Sequence, residues 1–236
     1  MSDKSSDNSS PTTSGKRWKF SKRRIIGLVL ILAGLAVLLY IPATWVIGYF
    51  VQRDLRGEYA QESAASLALN HSVLENLQGA ADKDKLRQLA IAFKSRLSNE
   101  QTIAQLEIPR IGLNVIVVEG SSDDALHKGP GHLESTPLPG MNGNFAIAGD
   151  RVLYGGPFLR LNDLNNGDEI IVHTPYGNFN YTVTNHHITE PDDVSVLKSD
   201  GQDEITLITC DPIWGTTHRL IVHGALTSSS LRSDQT

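Results

Sequence analysis

The sequence predicts an all-β domain, a sandwich or barrel of seven to eight short strands, placed behind an apolar segment and a helical region. Three observations support this prediction. Residues 25–50 contain no charged side chain, residues 51–100 place apolar residues near helical spacing, and the chain after Gln101 changes to short apolar runs separated by Gly, Pro, Asn and Asp. Short strands bounded by turn residues at this spacing are typical of sandwiches and barrels.

The apolar segment is long enough to cross a bilayer, because a span needs roughly 20 apolar residues for a hydrocarbon core of roughly 30 Å. Seven Lys or Arg residues and two Asp residues lie in residues 1–24. The positive-inside rule therefore places the N-terminus in the cytoplasm and the rest of the chain outside. A cleaved signal peptide is the alternative, but its apolar region is only about 7–15 residues long and ends in a small-residue cleavage site. We predict an uncleaved single-pass anchor at 25–50 in the cell membrane, preceded by a disordered basic tail at 1–24.

Residues 51–100 are predicted to form a helical stalk that holds the next domain off the membrane. Its apolar residues recur near helical spacing on both sides of a break marked by Gly79 and Asp82. The strand-forming domain covers residues 101–226, followed by a disordered tail at 227–236. Its strands are expected at 103–111, 113–120, 144–150, 168–175, 179–189, 204–210 and 218–226, with short helices at 122–130 and 157–164.

Charge and cysteine content narrow the classes of function. The net charge is −5, and because residues 1–24 carry +5, the remainder carries −10. An acidic body without a basic stripe argues against nucleic-acid binding. The single cysteine cannot form an internal disulfide, and the histidines lack the paired spacing of a zinc site. We therefore expect no metal and no cofactor.

Cys210, the only cysteine, lies where a predicted strand ends. An Asp-Pro pair follows at once, and proline ends a strand because it cannot donate a ladder hydrogen bond and restricts the residue before it. If the strands on either side of the next loop pair as neighbours, Cys210 and Arg219 lie near the same end of the sheet. A guanidinium there can stabilise a thiolate or an oxyanion. The alternatives are a buried inert thiol and a surface arginine that neutralises the aspartate.

The run TLITCDPIWGTTHRLIV, residues 206–222, resembles the signature end of sortases, the membrane-anchored cysteine transpeptidases of Gram-positive cell surfaces. The upstream stretch GPGHLESTPLPGMNGNFAIAGDRVLYGGPFLRLNDLNNGDEI, residues 129–170, also resembles this family, particularly the classes labelled D and E. The resemblance covers about residues 104–226 and implies a closed or nearly closed sortase-like β-barrel. It also implies that Cys210 is the nucleophile and that Arg219 positions the substrate and stabilises the oxyanion.

One position departs from the sortase pattern. In the family a catalytic histidine follows the strand that reads Ala-Ile-Ala-Gly, and this chain has Asp150 there, followed by Arg151. An imidazole titrates near neutrality and can protonate a leaving amine, whereas an ordinary aspartate with a pKa near ~3.9 is ionised and cannot. Three interpretations stay open. Asp150 impairs an otherwise intact sortase; or burial keeps its carboxyl group neutral and able to donate a proton; or it pairs with Arg151 or Arg219 in a protein that binds peptides without processing them.

The other histidines considered are poor replacements on sequence grounds. His218 precedes Arg219, so on a strand its side chain points to the opposite face. His132 lies in a loop where the family commonly has a histidine without a catalytic role. The remaining ones are expected to be ordinary residues of strands or of the stalk: His71, His173, His186, His187 and His223.

The resemblance also implies a reaction and its partners. Cys210 would attack a Leu-Pro-x-Thr-Gly-like sorting signal of a surface protein or pilin between Thr and Gly, with Asp150 in the general-acid position. An amine from a peptidoglycan precursor or a pilin lysine would then resolve the thioacyl-enzyme at the membrane surface. Two other functions stay open: a catalytically silent protein that binds sorting signals or acts as a scaffold, and a cysteine protease that uses water as the acceptor.

Overall fold

The computed structural model describes residues 22–199 and 201–232. The α-helices in these residues are α1 (Lys22–Glu75), α2 (Asp82–Lys94) and α3 (Asp123–Lys128). The strands are β1 (Thr102–Ile108), β2 (Leu113–Glu119), β3 (Gly131–His132), β4 (Asn144–Ala148), β5 (Glu169–His173), β6 (Gly177–Thr189), β7 (Glu204–Asp211) and β8 (His218–Leu231). Short 3-10 turns lie at Pro109–Ile111, Leu161–Asp163 and Val194–Leu197.

The eight strands form a closed barrel in the order β1-β2-β3-β4-β7-β8-β6-β5, and β5 pairs with β1 to close it. The β2–β3 and β4–β7 pairs are parallel, and the other pairs are antiparallel. The predicted all-β barrel is therefore confirmed. Seven of its strands follow from the sequence pattern. The eighth, β3, has only two residues, which is too short to show any alternation.

Alternating burial along the strands builds the core. The first seven residues of β6 alternate between buried and half-buried side chains, and the Phe, Tyr and aliphatic side chains on the inner face are almost fully covered. A fully buried large apolar side chain contributes about 1.5–3 kcal/mol. The largest ring systems of the core are Phe93, Phe145, Phe158, Tyr176, Phe179 and Tyr181. This core explains how the domain folds without a disulfide.

The helices of residues 51–100 differ from the predicted stalk. Their helical character and the break near Gly79 agree with the structure, but both helices pack on the barrel. α1 buries Leu55 and Tyr59 against Ile116 and Val118 of β2. α2 buries one face in the main core through Leu86, Leu89, Ala90 and Phe93. Apolar residues at helical spacing show that a helix has a buried face but not what covers it, so the stalk was the wrong inference from a correct pattern.

α1 is the one helix in the described part of the chain that is long and apolar enough to cross a membrane. The chain divides into two compact units, residues up to Tyr40 and residues from Ile41 onwards. In the first, the apolar side chains that follow Ile25 are exposed, which fits a membrane anchor. In the second, Gly48, which lies inside the predicted span, packs against protein. Residues 1–21 of the predicted basic tail lie outside the described residues. Residues 22–24, the last three of that predicted tail, form the beginning of α1.

β8 extends beyond the predicted end of the domain at residue 226. Its last residues, Ser228 to Leu231, pair with Asn180 to Gly177 of the long strand β6. The polar composition of this stretch predicted a disordered tail, but a strand needs only backbone partners once a neighbouring strand is in place. The prediction is wrong for residues 227–231, and residues 233–236 lie outside the described residues.

Candidate functional site

The strands β4, β7 and β8 bring Asp150, Cys210 and Arg219 to one end of the barrel. β4 and β7 run parallel with Ala148 opposite Ile208, so Asp150 and Cys210 follow at the same edge two residues later. β7 and β8 are antiparallel, and Cys210 lies directly opposite Arg219. Side chains of directly opposed residues share one face of the sheet. The register therefore explains why these three residues lie at the same end of the barrel.

All three residues line one cavity of about 350 Å³. Cys210 is a free, half-buried cysteine in its lining. The loop between β6 and β7 contributes residues from Thr189 to Leu197 to the wall. The apolar part of the lining comes from Leu126, Leu133, Val194, Val196, Leu197, Ile208 and Ile221. The cavity thus joins an apolar surface to a thiol, a guanidinium and a carboxyl group. A larger cavity of about 470 Å³ lies between α1 and the barrel and contains none of these three groups.

The guanidinium of Arg219 has free donors. Its Nη1 donates to the main-chain oxygens of Thr216 and His218, at 3.1 and 3.0 Å. These bonds hold the side chain at the start of β8. Its Nη2 and Nε atoms donate to no group within residues 22–199 and 201–232. They remain available for a carbonyl oxygen or oxyanion in the cavity.

Arg151 links the loop after β4 to the end of β7. This loop, residues 150–157, is called the Asp150 loop. The Arg151 side chain is only 5% exposed. Its Nη1 donates to Cys210 O at 2.9 Å and to Asp211 Oδ1 at 2.6 Å, and its Nη2 donates to Asn162 Oδ1 at 3.0 Å. Asp211 is therefore neutralised by Arg151 and not by Arg219. This arrangement fixes the backbone of the cysteine through the residue next to Asp150.

Asp150 is half-buried, and its side chain forms no ion pair or hydrogen bond with any residue that the structure describes. The pairing with Arg151 or Arg219 considered from the sequence is therefore not formed. Burial raises the pKa of the Asp150 carboxyl; the positive charge of His127 lowers this pKa, and the negative charge of Asp123 raises it further. Of the three sequence interpretations, this environment favours a carboxyl group displaced toward its neutral form.

His127 is a functional candidate that the sequence did not reveal. It lies on α3, whose first turn is capped by Ser122 Oγ accepting from Ala125 N at 3.3 Å. Its ring packs on the ring of Tyr154 in the Asp150 loop, with 4.2 Å between the ring centroids. The predicted short helix at 122–130 contains His127, but a helix pattern does not show which distant loop the side chain meets. The structure thus places the imidazole of His127 beside the Asp150 loop.

The other histidines lie elsewhere. His187 and His223 stack on each other with ring centroids 5.5 Å apart and line a separate cavity. His132 is fully buried, and its Nδ1 lies 2.8 Å from Glu119 Oε2. His218 lies beside a surface glutamate, 3.8 Å away. No histidine in the described part of the chain lines the cavity that holds Cys210.

Known proteins share this architecture. The sortase domain family matches residues 106–227. Sortase D of Bacillus subtilis (strain 168) is 27% identical over 208 residues, covering 86% of this chain and 98% of that protein. Sortase SrtE1 of Streptomyces coelicolor is 36% identical over 150 residues, covering 56% of this chain and 42% of that protein.

Solved sortase structures align with the barrel as well. The SrtF sortase of Corynebacterium diphtheriae aligns with a TM-score of 0.56 and 29% identity, over 59% of this chain and 91% of that one. Sortase E1 of Streptomyces coelicolor, solved with a tripeptide in its active site, aligns with a TM-score of 0.54 and 33% identity, over 58% of this chain and 94% of that one. Because the family matches more than half of the sequence, this chain belongs to the sortase family.

Proposed function

We propose that the protein is a membrane-anchored sortase that cleaves an LPXTG-like sorting signal through a thioacyl intermediate on Cys210 and transfers the acyl group to a cell-wall or pilin amine. The observation that carries the proposal is the convergence of Cys210, Arg219 and Asp150 on one cavity. Sortases are cysteine transpeptidases as a family, and the apolar helix at the start of α1 fits an anchor. The cytoplasmic N-terminus and the extracellular barrel follow from the positive charges before the span.

In the first step the Cys210 sulfur, as a thiolate, attacks the carbonyl carbon of the Thr-Gly peptide bond. The S–C bond forms, the carbonyl oxygen becomes an oxyanion, and the free Nη2 and Nε donors of Arg219 stabilise it. Collapse breaks the C–N bond, and the departing glycine nitrogen takes a proton from the group at position 150. In the second step an amine attacks the thioester carbon and gives a proton to the Asp150 carboxylate, the C–S bond breaks, and the Cys210 sulfur leaves as a thiolate, so that the site returns to its starting state.

The cavity also suits the rest of a sorting signal. Its apolar wall, formed from the β6–β7 loop and residues such as Leu126 and Ile221, can cover leucine and proline side chains. The tripeptide in the active site of sortase E1 supports a peptide as the ligand of the matching cavity. Because the apolar wall and not the proton donor would hold the peptide, we expect binding to be independent of how well Asp150 donates its proton.

Asp150 sets the expected level of activity. Burial raises the pKa of Asp150, so a larger fraction of its carboxyl groups holds a proton than in an ordinary aspartate. We expect this protonated fraction to stay below that of an imidazole, which titrates near neutrality. We infer that Asp150 acts as a general acid with impaired efficiency. The second candidate is a sortase-like protein that binds sorting signals or acts as a scaffold without processing them. The observation in its favour is again Asp150, since a carboxyl group here would slow the chemistry without preventing peptide binding.

A fluorogenic LPXTG peptide tests this function in the full chain, with and without an added amine such as triglycine. We expect slow cleavage that Cys210→Ala abolishes, together with a transfer product that forms only when the amine is present. Ser72→Ala, a change at an exposed position of α1 that does not line the cavity, serves as the matched control and should leave the rate unchanged. Cleavage without transfer would indicate a protease, and residual turnover in Cys210→Ala would exclude Cys210 as the nucleophile.

A further inference from the structure

We propose that the Trp45–Gln52 segment of α1 positions the Asp150 loop and so forms a supporting part of the site that contains Cys210. The proposal rests on the proposed function, because Asp150 is its functional target. Within the unit that begins at Ile41, this segment contacts both the Asp150 loop and the helix that carries His127.

The segment docks through side chains that bond to the main chain of the barrel. Trp45 Nε1 donates to Val152 O in the Asp150 loop at 2.8 Å. Gln52 Nε2 donates to Lys128 O, at the end of α3, at 3.0 Å and to Ile116 O at 3.2 Å. The Gln52 Oε1 atom accepts from Ile116 N at 2.7 Å. Two turns of one helix therefore fix the main chain of the Asp150 loop, of α3 and of β2.

Gly48 lies between these two side chains and makes the closest approach. A Cβ atom at this position would lie 2.5 Å from Tyr154 O and 2.6 Å from Tyr154 C. Glycine in the middle of a helix is unfavourable by about 1 kcal/mol relative to alanine, so its presence here matches a backbone contact that no other residue permits. The helix therefore presses directly against the main chain of the Asp150 loop.

A ring contact completes the connection. Tyr154, whose main chain touches Gly48, packs its ring on His127 of α3. The loop itself is held by two short main-chain bonds, from Gly156 N to Leu153 O at 2.8 Å and from Phe158 N to Asp150 O at 3.1 Å. α1, the Asp150 loop and α3 thus meet at Tyr154, and a shift of the helix moves the loop that begins with Asp150.

The test compares single changes in the full chain in detergent micelles. Trp45→Phe keeps the aromatic ring but removes the donor to Val152 O, and Gly48→Ala introduces the overlap with Tyr154. Tyr59→Phe is the matched control, because it also removes one donor from α1 to a main-chain oxygen, His173 O at 2.7 Å, on β5, a strand that does not pair with the strand before the loop. Catalysis is sensitive to displacements of about 1 Å, so we expect kcat to fall by roughly 10-fold in Trp45→Phe and further in Gly48→Ala, with KM within about twofold.

Amide hydrogen exchange of residues 150–158 gives a readout that needs no turnover. We expect faster exchange at Gly156 and Phe158 in Trp45→Phe and Gly48→Ala but not in Tyr59→Phe. Unchanged exchange in both loop variants would overturn the proposal whether or not the protein cleaves sorting peptides. Faster exchange with an unchanged kcat would overturn it as well, because the contact would then be structural only. Absence of cleavage in every variant would count against the proposed function, and the exchange data would still decide the docking.

Discussion

Replacing Asp150 with histidine is expected to raise kcat for a sorting peptide by roughly 10²-fold at neutral pH, the lower end of what a general acid contributes. An imidazole at this position is partly protonated near neutrality and can give a proton to the leaving glycine nitrogen. Burial displaces the wild-type carboxyl group toward its neutral form, but an aspartate starts from a much lower pKa than an imidazole, so we expect a smaller protonated fraction at that pH. Steady-state kinetics of the wild type, Asp150→His and Asp150→Asn measure the effect.

Asp150→Asn is the matched control, because an amide keeps the shape of the side chain but has no acidic proton to transfer. It should fall below the wild type, while Cys210→Ala abolishes turnover altogether. If Asp150→His leaves turnover unchanged while Cys210→Ala abolishes it, Asp150 is not the limiting acid and this account of the site is wrong.

The role of Asp150 as general acid also predicts the direction in which the activity of the wild type changes with pH. The reaction needs the protonated carboxyl group, so activity should fall as the pH rises through the raised pKa of Asp150. His127→Gln removes a positive charge that lowers this pKa and should move the fall to higher pH. Asp123→Asn removes a negative charge that raises the pKa and should move it to lower pH. Shifts in the same direction, or none, would show that Asp150 does not control the profile.

The raised pKa also has a consequence for stability. The folded protein holds the Asp150 proton more tightly than the unfolded chain, so the free energy of unfolding falls as the pH rises from the ordinary aspartate value of about 3.9 to the folded-state value. Above the folded-state pKa, this contribution of the Asp150 proton to the free energy of unfolding is fully lost. Asp150→Asn is therefore expected to raise the melting temperature at neutral pH and to leave it unchanged in acid.

Arg151→Ala is expected to lower the free energy of unfolding by about 3–5 kcal/mol, the usual effect of removing one partner of a buried ion pair. The change leaves Asp211, Asn162 Oδ1 and Cys210 O without their donor at the end of β7. Arg151→Lys keeps the charge but cannot reach three acceptors at once, so we expect an intermediate loss. Urea unfolding followed by circular dichroism measures both.

Arg160→Ala supplies the matched control for that experiment. Arg160 also pairs with an aspartate, Asp163, at 2.8 Å, but its side chain is 57% exposed. Exposed pairs contribute about 0–1 kcal/mol, so this variant should unfold close to the wild type. Equal midpoints for Arg151→Ala and Arg160→Ala would mean that the buried bonds of Arg151 do not hold the Cys210 strand end in place.

The sequence predicts the barrel well because each long strand has its own local signal of short apolar runs bounded by turn residues. It predicts the meeting of Cys210 and Arg219 for a similar reason, since adjacent antiparallel strands joined by a short loop fix their register. β3 escapes this reasoning because two residues show no period. The end of β8 escapes it because the polar stretch is ordered by the backbone of β6 and not by its own side chains.

The parts of the site that the sequence does not predict depend on contacts between distant segments. Arg151 could be suspected only as a partner of Asp150, yet the structure turns its guanidinium toward Asp211 and Cys210 O. His127 meets the Asp150 loop through a ring contact with Tyr154, which no local pattern encodes. The docking of α1 is hidden for another reason: apolar residues inside a span of this length fit a bilayer and a protein surface equally well.

The central claim, a thioacyl intermediate on Cys210, is tested most directly by intact-mass spectrometry of the full chain after acid quenching of a reaction with an LPXTG peptide. The account predicts an added mass equal to the peptide up to threonine, located on Cys210, larger in amount in Asp150→His, absent in Cys210→Ala and discharged by an added amine. Peptide binding without any such adduct, in both the wild type and Asp150→His, would contradict the account and leave a protein that holds sorting signals without processing them.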